Sequence, residues 1–213
     1  MVRRPDPLTI PGTNRRAEDC LACSLPLPGT PGQAYAEKRG IAATTAHAAG
    51  LRYIADFAGR PAVVIALYDD KDALASVHGR YLDVRRRQDK MLTVGPGGGT
   101  INVLGGWRVD PLIIVEGLFD ALSLAGSGFA SVATIGRWVP WLPHVAVGRG
   151  IWLAFDRSRS GEAEAVRYSA HMSACDVRRM WPPGRSKDWN TALLKYGAGT
   201  IARRVSECVR GTK

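Results

Sequence analysis

From residue 111 onward, short apolar runs alternate with segments of helical period. "LIIVEG" is an apolar run ending on an acid and a glycine, and "LFDALSLAGSG" follows with helical spacing. "ASVATIG", "GIWLAFD" and "DVRRMW" read as further strands. "SGEAEAVRYSAHMSA" and "DWNTALLKYG" read as helices, and "WVPWLPHVAVG" as a helical or irregular link. Strands and helices taking turns in this way predict an α/β unit, a parallel sheet flanked by helices on both faces.

The stretch before it has a different texture. "LRYIADF", "PAVVIALYDD" and "LASVHGRYLDV" are β-branched or aromatic runs separated by turn residues such as "DDKD". They predict an antiparallel meander with one face buried. "TPGQAYAEKRGI" predicts a short helix, with Thr30 able to cap it, Pro31 in its first turn and Gly40 at its end. "IAATTAHAAG" is open between a second short helix and a loop. "VGPGGGTINVLGG" is glycine-dense but lacks a strand-to-helix context, so it reads as a flexible loop leading into a strand rather than a phosphate-binding fingerprint. The resulting division is an irregular leader over 1–32, a smaller strand-rich α+β subdomain over 33–109, an α/β domain over 110–200 and a C-terminal helix or tail over 201–213.

Charge narrows the function. Lys and Arg number 29 against 19 Asp and Glu, a net of +10. Such a balance favours polyanions, nucleic acid first, with plain solubility or a basic tail as the bland alternative. A hydrophobic content of 46% supports a core. No run of about 18 apolar residues occurs, so no membrane partner is expected. The basic start "MVRRPDPLTIPGTNRR" lacks the apolar centre of a signal peptide, and a cytoplasmic location is the expectation. Cys20 and Cys23 form a CxxC, but Cys175 and Cys208 stand apart and singly. A zinc ribbon needs a second close pair, so reduced, unliganded thiols are expected.

In open α/β sheets ligands bind beyond the carboxyl ends of the strands. Glu116 and Asp156 each fall at such an end. Glu116 could ligate Mg²⁺ or act as general acid/base, or simply favour a helix N-terminus through the dipole. Asp156 could share one divalent ion with it, or cap a helix or pair with Arg157 or Arg159. Asp120, one helical turn after Glu116, could return to the same cleft, and Glu162 is another nearby acid. Asp188 could be an outer metal ligand and Lys187 a phosphate contact, while Asp188 or Asn190 as a helix cap suffices on its own. The cluster Arg85, Arg86, Arg87 and Lys90 is a candidate nucleic-acid surface or a solvated turn, and Arg39 and Arg80 are weaker candidates. Six tryptophans, among them Trp181 and Trp189, leave room for base stacking, although most tryptophans pack in cores.

"LIIVEGLFDALSL", "IWLAFDRSRSGEAEAVR" and "KDWNTALL", in this order and spacing, resemble the Toprim domain of bacterial-type DNA primases, topoisomerases and small nucleases. "LPLPGTPGQAYAEKRGI" and the strands around "VIALYDDKDALASVHGRYLD" are similar to the segment preceding Toprim in phage- and plasmid-type primases. The resemblance implies a Glu acting as general acid/base and a DxD pair binding Mg²⁺ or Mn²⁺. Carried over, Glu116 takes the first role and Asp156 part of the second. Ser158 stands where the second acid belongs, a weakened or substituted metal position. The implied activity is Mg²⁺-dependent nucleotidyl transfer in DNA replication: RNA primer synthesis on single-stranded DNA from NTPs, with a replicative helicase as the implied partner. The missing acid lowers the charge of the site and predicts one weakly held ion. The alternatives are a Toprim nuclease and a catalytically silent nucleic-acid-binding or recruitment module.

Overall fold

The computed structural model describes residues 15–83 and 90–211. Its strands form two five-stranded sheets. The first is antiparallel throughout, in the order β1 (Leu25–Pro26), β2 (Arg52–Ile54), β3 (Ala62–Tyr68), β4 (Leu74–Tyr81), β5 (Met91–Val94). Helices α1 (Arg15–Ala22), α2 (Pro31–Lys38) and α3 (Ala43–Ala48) accompany it. "IAATTAHAAG" thus forms a helix, and Pro31 opens α2 after Thr30, whose side chain makes no capping bond.

Two expectations change here. The leader read as irregular carries α1 and β1. Ala17 of α1 is fully buried, and Cys20 and Leu21 pack beside it against Ile54, Phe57, Val64 and Val77. The meander therefore has both faces covered. On β3, Val63 and Ile65 face one cluster while Ala62 and Val64 face the other, as strand alternation requires.

The second sheet runs β10 (Asp176–Arg179), β9 (Gly150–Leu153), β7 (Leu112–Val115), β8 (Ser131–Ala133), β6 (Ile101–Val103). Its first four strands are parallel, and β6 closes the edge antiparallel to β8. β6 comes from the glycine-dense stretch, so that segment supplies an edge strand to the second sheet. Between the strands lie α4 (Leu118–Ala125), α5 (Leu142–Ala146), α6 (Arg159–His171) and α7 (Trp189–Arg210). α7 continues past the expected boundary at residue 200, broken only by non-helical backbone at Gly197. One face of the sheet packs Leu112, Ile114, Ile151 and Leu153 against Leu142 of α5 and Tyr168 of α6. The other face packs Ile113, Val115 and Trp152 against α4, α7 and the first sheet. α4 is buried on nearly every side, which accounts for its almost unbroken apolar sequence. No described helix is long and apolar enough to cross a membrane.

Candidate active site

The register of the parallel strands sets the site. β7 pairs with β9 so that Ile114 lies opposite Leu153, and the amide of Ala154 donates to the carbonyl of Ile114 at 2.7 Å. The chain ends that leave these strands therefore emerge side by side, carrying Glu116 and Asp156. Both line a cleft of about 740 Å³ between the two sheets, with Asp120, Lys187 and Asp188 on the same wall. The opposite wall comes from the first sheet and α2, with Lys38, His78, Arg80 and Lys90. An acidic wall thus faces a basic one.

Glu116 is the least satisfied of these groups. Its Oε2 is buried and has no hydrogen-bond partner. Burial first, and then the nearby Asp156 carboxylate, push its carboxyl above the usual range, against the opposing pull of Lys187 and Lys90. Asp156 is raised too, by burial and then by Asp188, although Lys187 Nζ lies 3.5 Å from its Oδ2. The backbone bordering Glu116 is strained as well. Ile135 of the cleft has φ 51°, a conformation that costs a β-branched residue on the order of 1–3 kcal/mol and that clusters at functional sites.

Asp120 and Asp188 have structural employment. Asp120 Oδ1 accepts hydrogen bonds from the amides of Trp189 (2.9 Å) and Asn190 (3.2 Å), the first residues of α7. Burial, then Asp156 and Asp188, push its carboxyl up to about 8. It sits so close to Gly117 that a Cβ there would stand 2.7 Å from its Oδ2. Asp188 caps the same helix, accepting from the amide of Thr191 at 2.7 Å. Asn190 instead donates through Nδ2 to the carbonyl of Arg39 (2.8 Å) and to Ser123 Oγ (3.2 Å). Ser158 caps α6 by accepting from the amide of Gly161 at 3.0 Å, and it does not line the cleft.

Among the basic candidates, Lys90, Arg80 and Lys187 reach the cleft, and Arg80 Nε is buried without a partner. Arg39 lines the cleft but is held by its neighbours. It stacks over Phe119 and Tyr35 and bonds Tyr35 Oη and Asn190 Oδ1. Arg85, Arg86 and Arg87 lie outside the described residues. Of the tryptophans, Trp189 is wholly buried and donates to the carbonyl of Ala154. Trp152 is buried, Trp107, Trp138 and Trp141 pack against the core, and Trp181 is the most exposed. Cys20 is half-buried and Cys23 exposed.

His78 escaped the sequence reading. Alternation along β4 places it on the same face as Arg80, which is the signal that could have found it. Its Nδ1 contacts Thr93 Oγ1 at 3.0 Å. Burial, and then the charges of Arg80 and Arg137, lower its pKa to about 4. The unfolded chain binds a proton below about pH 6.5 that the folded chain refuses until about pH 4. Stability therefore rises with pH across that window and is lost as pH falls through it. Denaturant unfolding at pH 7 and pH 4 should show about 3 kcal/mol from this residue, absent in His78→Gln.

Among the described residues no group of three or more His, Cys, Asp or Glu is arranged to hold a metal. Mg²⁺ asks for less, one or two carboxylates with waters and substrate phosphates completing its shell. The unpartnered Oε2 of Glu116 beside the Asp156 carboxylate fits that requirement.

Two family models match the chain. A Toprim-like family matches residues 113–193, and a domain of unknown function, DUF7146, matches residues 11–101. No curated protein matches it. Several primase structures share its fold. The primase fragment of the bacteriophage T7 primase-helicase aligns with TM-score 0.59 and 18% identity, over 79% of this chain and 72% of that one. A DnaG primase catalytic domain bound to ssDNA aligns with TM-score 0.67 and 17% identity, over 91% and 77%. The Aquifex aeolicus primase, comprising zinc-binding and RNA polymerase domains, aligns with TM-score 0.67 and 14% identity over 90% of this chain. Only 59% of that longer chain is covered.

Proposed function

We propose that this chain, which carries a Toprim-like domain in the fold of a primase catalytic core, joins nucleotides on a single-stranded DNA template. The observation that carries the reading is Glu116, a half-buried carboxylate with one buried, unpartnered oxygen, set beside Asp156 and facing a cationic wall across the cleft. A 3′-hydroxyl oxygen attacks the α-phosphorus of an NTP, the new P–O bond forms, the bond to pyrophosphate breaks, and the hydroxyl proton must leave. Glu116 is the group to take it. Its raised carboxyl pKa makes it a stronger base than an exposed glutamate, as general base catalysis needs.

Asp156, with Glu116, would hold Mg²⁺ or Mn²⁺, which when bound supplies positive charge against the transferring phosphate. Lys187 lies against Asp156 and can move to a phosphate oxygen when one arrives. Lys38, Arg80 and Lys90 on the opposite wall attract the template backbone or the triphosphate. A replicative helicase, as the natural source of single strands, is the partner this reading implies.

The test is incorporation of labelled NTPs on a single-stranded template with Mg²⁺ or Mn²⁺, against an EDTA control. Metal-dependent products lost in Asp156→Asn support the reading. Cleavage of DNA by metal and protein without incorporation would move it to a nuclease, and DNA binding with neither reaction to a recruitment module.

Ser158→Asp sharpens the test. Aspartate caps helices as well as serine does, so on the Gly161 amide it keeps the start of α6 and stays off the cleft lining. Mg²⁺ affinity should then rise by less than about tenfold, about 1.4 kcal/mol, read by calorimetric titration independently of turnover. A larger gain would mean that the carboxylate leaves the cap for the ion.

A further inference from the structure

Asp156 and Arg157 are neighbours in sequence but line different cavities. Arg157 faces a second, shallower concavity of about 280 Å³. One side of it is the turn at residues 182–184, and the other is the part of α7 beyond Gly197, which presents Thr200, Arg203, Arg204 and Glu207. Arg157 Nη2 donates to the carbonyl of Pro182 at 3.2 Å, and Arg204 Nε to that of Trp181 at 3.2 Å. Each bond uses one of five guanidinium donors and fixes the direction of the rest.

No described carboxylate forms an ion pair with Arg157, Arg203 or Arg204. Glu207 is the one acid among the lining residues, against three arginines. Glu162 also acts on Arg157 electrostatically, but three like charges around one concavity repel, and an anion between them reduces the cost. The place of the concavity says which anion. The Arg157 amide donates to the Lys187 carbonyl at 2.6 Å, so Arg157 and the phosphate-contact candidate Lys187 flank the same ridge from opposite sides.

We infer that this arginine pocket binds a backbone phosphate of the nucleic-acid strand that passes over the ridge from the carboxylate cleft. The inference rests on the reading of that cleft as a nucleic-acid site and extends its footprint to the far side of Asp156. Arg157, Arg203 and Arg204 supply the donors, Thr200 a hydroxyl, and Glu207 limits the affinity so that the strand can advance.

Anisotropy of fluorescein-labelled oligo(dT) with the full chain, titrated over a range of NaCl, tests it. Arg203 is exposed on a helix, so Arg203→Gln should keep its thermal melt and weaken binding about threefold. The slope of log Kd against log[NaCl] should fall by about 0.7, the value of one lost single-strand phosphate contact. Glu207→Gln should tighten binding, a gain that misfolding cannot produce. Inorganic phosphate at matched ionic strength should compete poorly, since a strand reaches the pocket through its other contacts; competition at low millimolar phosphate would identify a free-phosphate site and overturn the strand assignment. An unchanged salt slope in Arg203→Gln, with no gain in Glu207→Gln, overturns the pocket altogether. Nucleotide incorporation is scored separately in the same variants. Failure to incorporate with the slopes as expected counts against the reaction and leaves the pocket standing, while normal incorporation with unmoved slopes does the reverse.

Discussion

Glu116→Gln should reduce template-directed incorporation by about 10²- to 10⁴-fold, the usual worth of a positioned general base, while single-stranded DNA binding stays at the wild-type level. The substitution keeps the shape of the side chain and removes its negative charge and its capacity to accept a proton. Oε2 has no hydrogen-bond partner, so no network collapses with it. The melting temperature should hold or rise, because a carboxylate that burial and Asp156 already disfavour is replaced by a neutral amide. The pH profile gives an independent check. The wild-type rate should fall with acid as this carboxyl is protonated, and the residual rate of Glu116→Gln should lack that limb. A variant that polymerises at the wild-type rate would remove Glu116 from the chemistry.

The second large effect is expected at Gly161, which touches no substrate. The chain turns so tightly after Asp156 that a Cβ on residue 161 would stand 2.2 Å from the Asp156 carbonyl oxygen and 3.0 Å from its carbonyl carbon. Those are backbone atoms and cannot swing aside. Gly161→Ala must therefore push apart the start of α6 and the segment after β9 that carries Asp156. Overpacking of this kind costs about 1–3 kcal/mol of stability. The functional loss should be larger, since displacing a positioned group by about 1 Å costs on the order of 10²-fold in rate. A reduced turnover, a shifted Mg²⁺ half-point and a lowered melt are expected together. Wild-type Mg²⁺ dependence in a well-folded Gly161→Ala protein would show that the turn has slack.

The strand-end acids mark what the sequence made legible. Glu116 and Asp156 stand where apolar runs end, and strand-end geometry is a local property of the chain. The alternation of strands and helices after residue 111 was readable for the same reason. Asp120 was legible in part. It returns to the same cleft, as its place one turn after Glu116 suggested, but its carboxylate also holds two amides of α7, some seventy residues on. Nothing local announces that second duty. Asp188 and Ser158 did follow the local cap rule. Sheet membership was hidden as well. "TINVLGG" reads as a strand, but only tertiary pairing with β8 assigns it to the second sheet. α1 was obscured by the Pro- and Gly-rich residues around it, and its contribution is a single face against the meander.

The apolar cluster that joins Val63 and Ile65 of the first sheet to Ile113, Trp152 and Trp189 of the second crosses the division between the two matched families. Tyr35 and Phe119, stacked edge to face with Arg39 over both, fasten the floor of the cleft from either side. Neither half has a complete interior without the other, so the two modules should melt as one cooperative unit. The same fastening runs beneath both walls of the cleft, so changing their separation should require the shared interior to open, as in a socket and not a jaw.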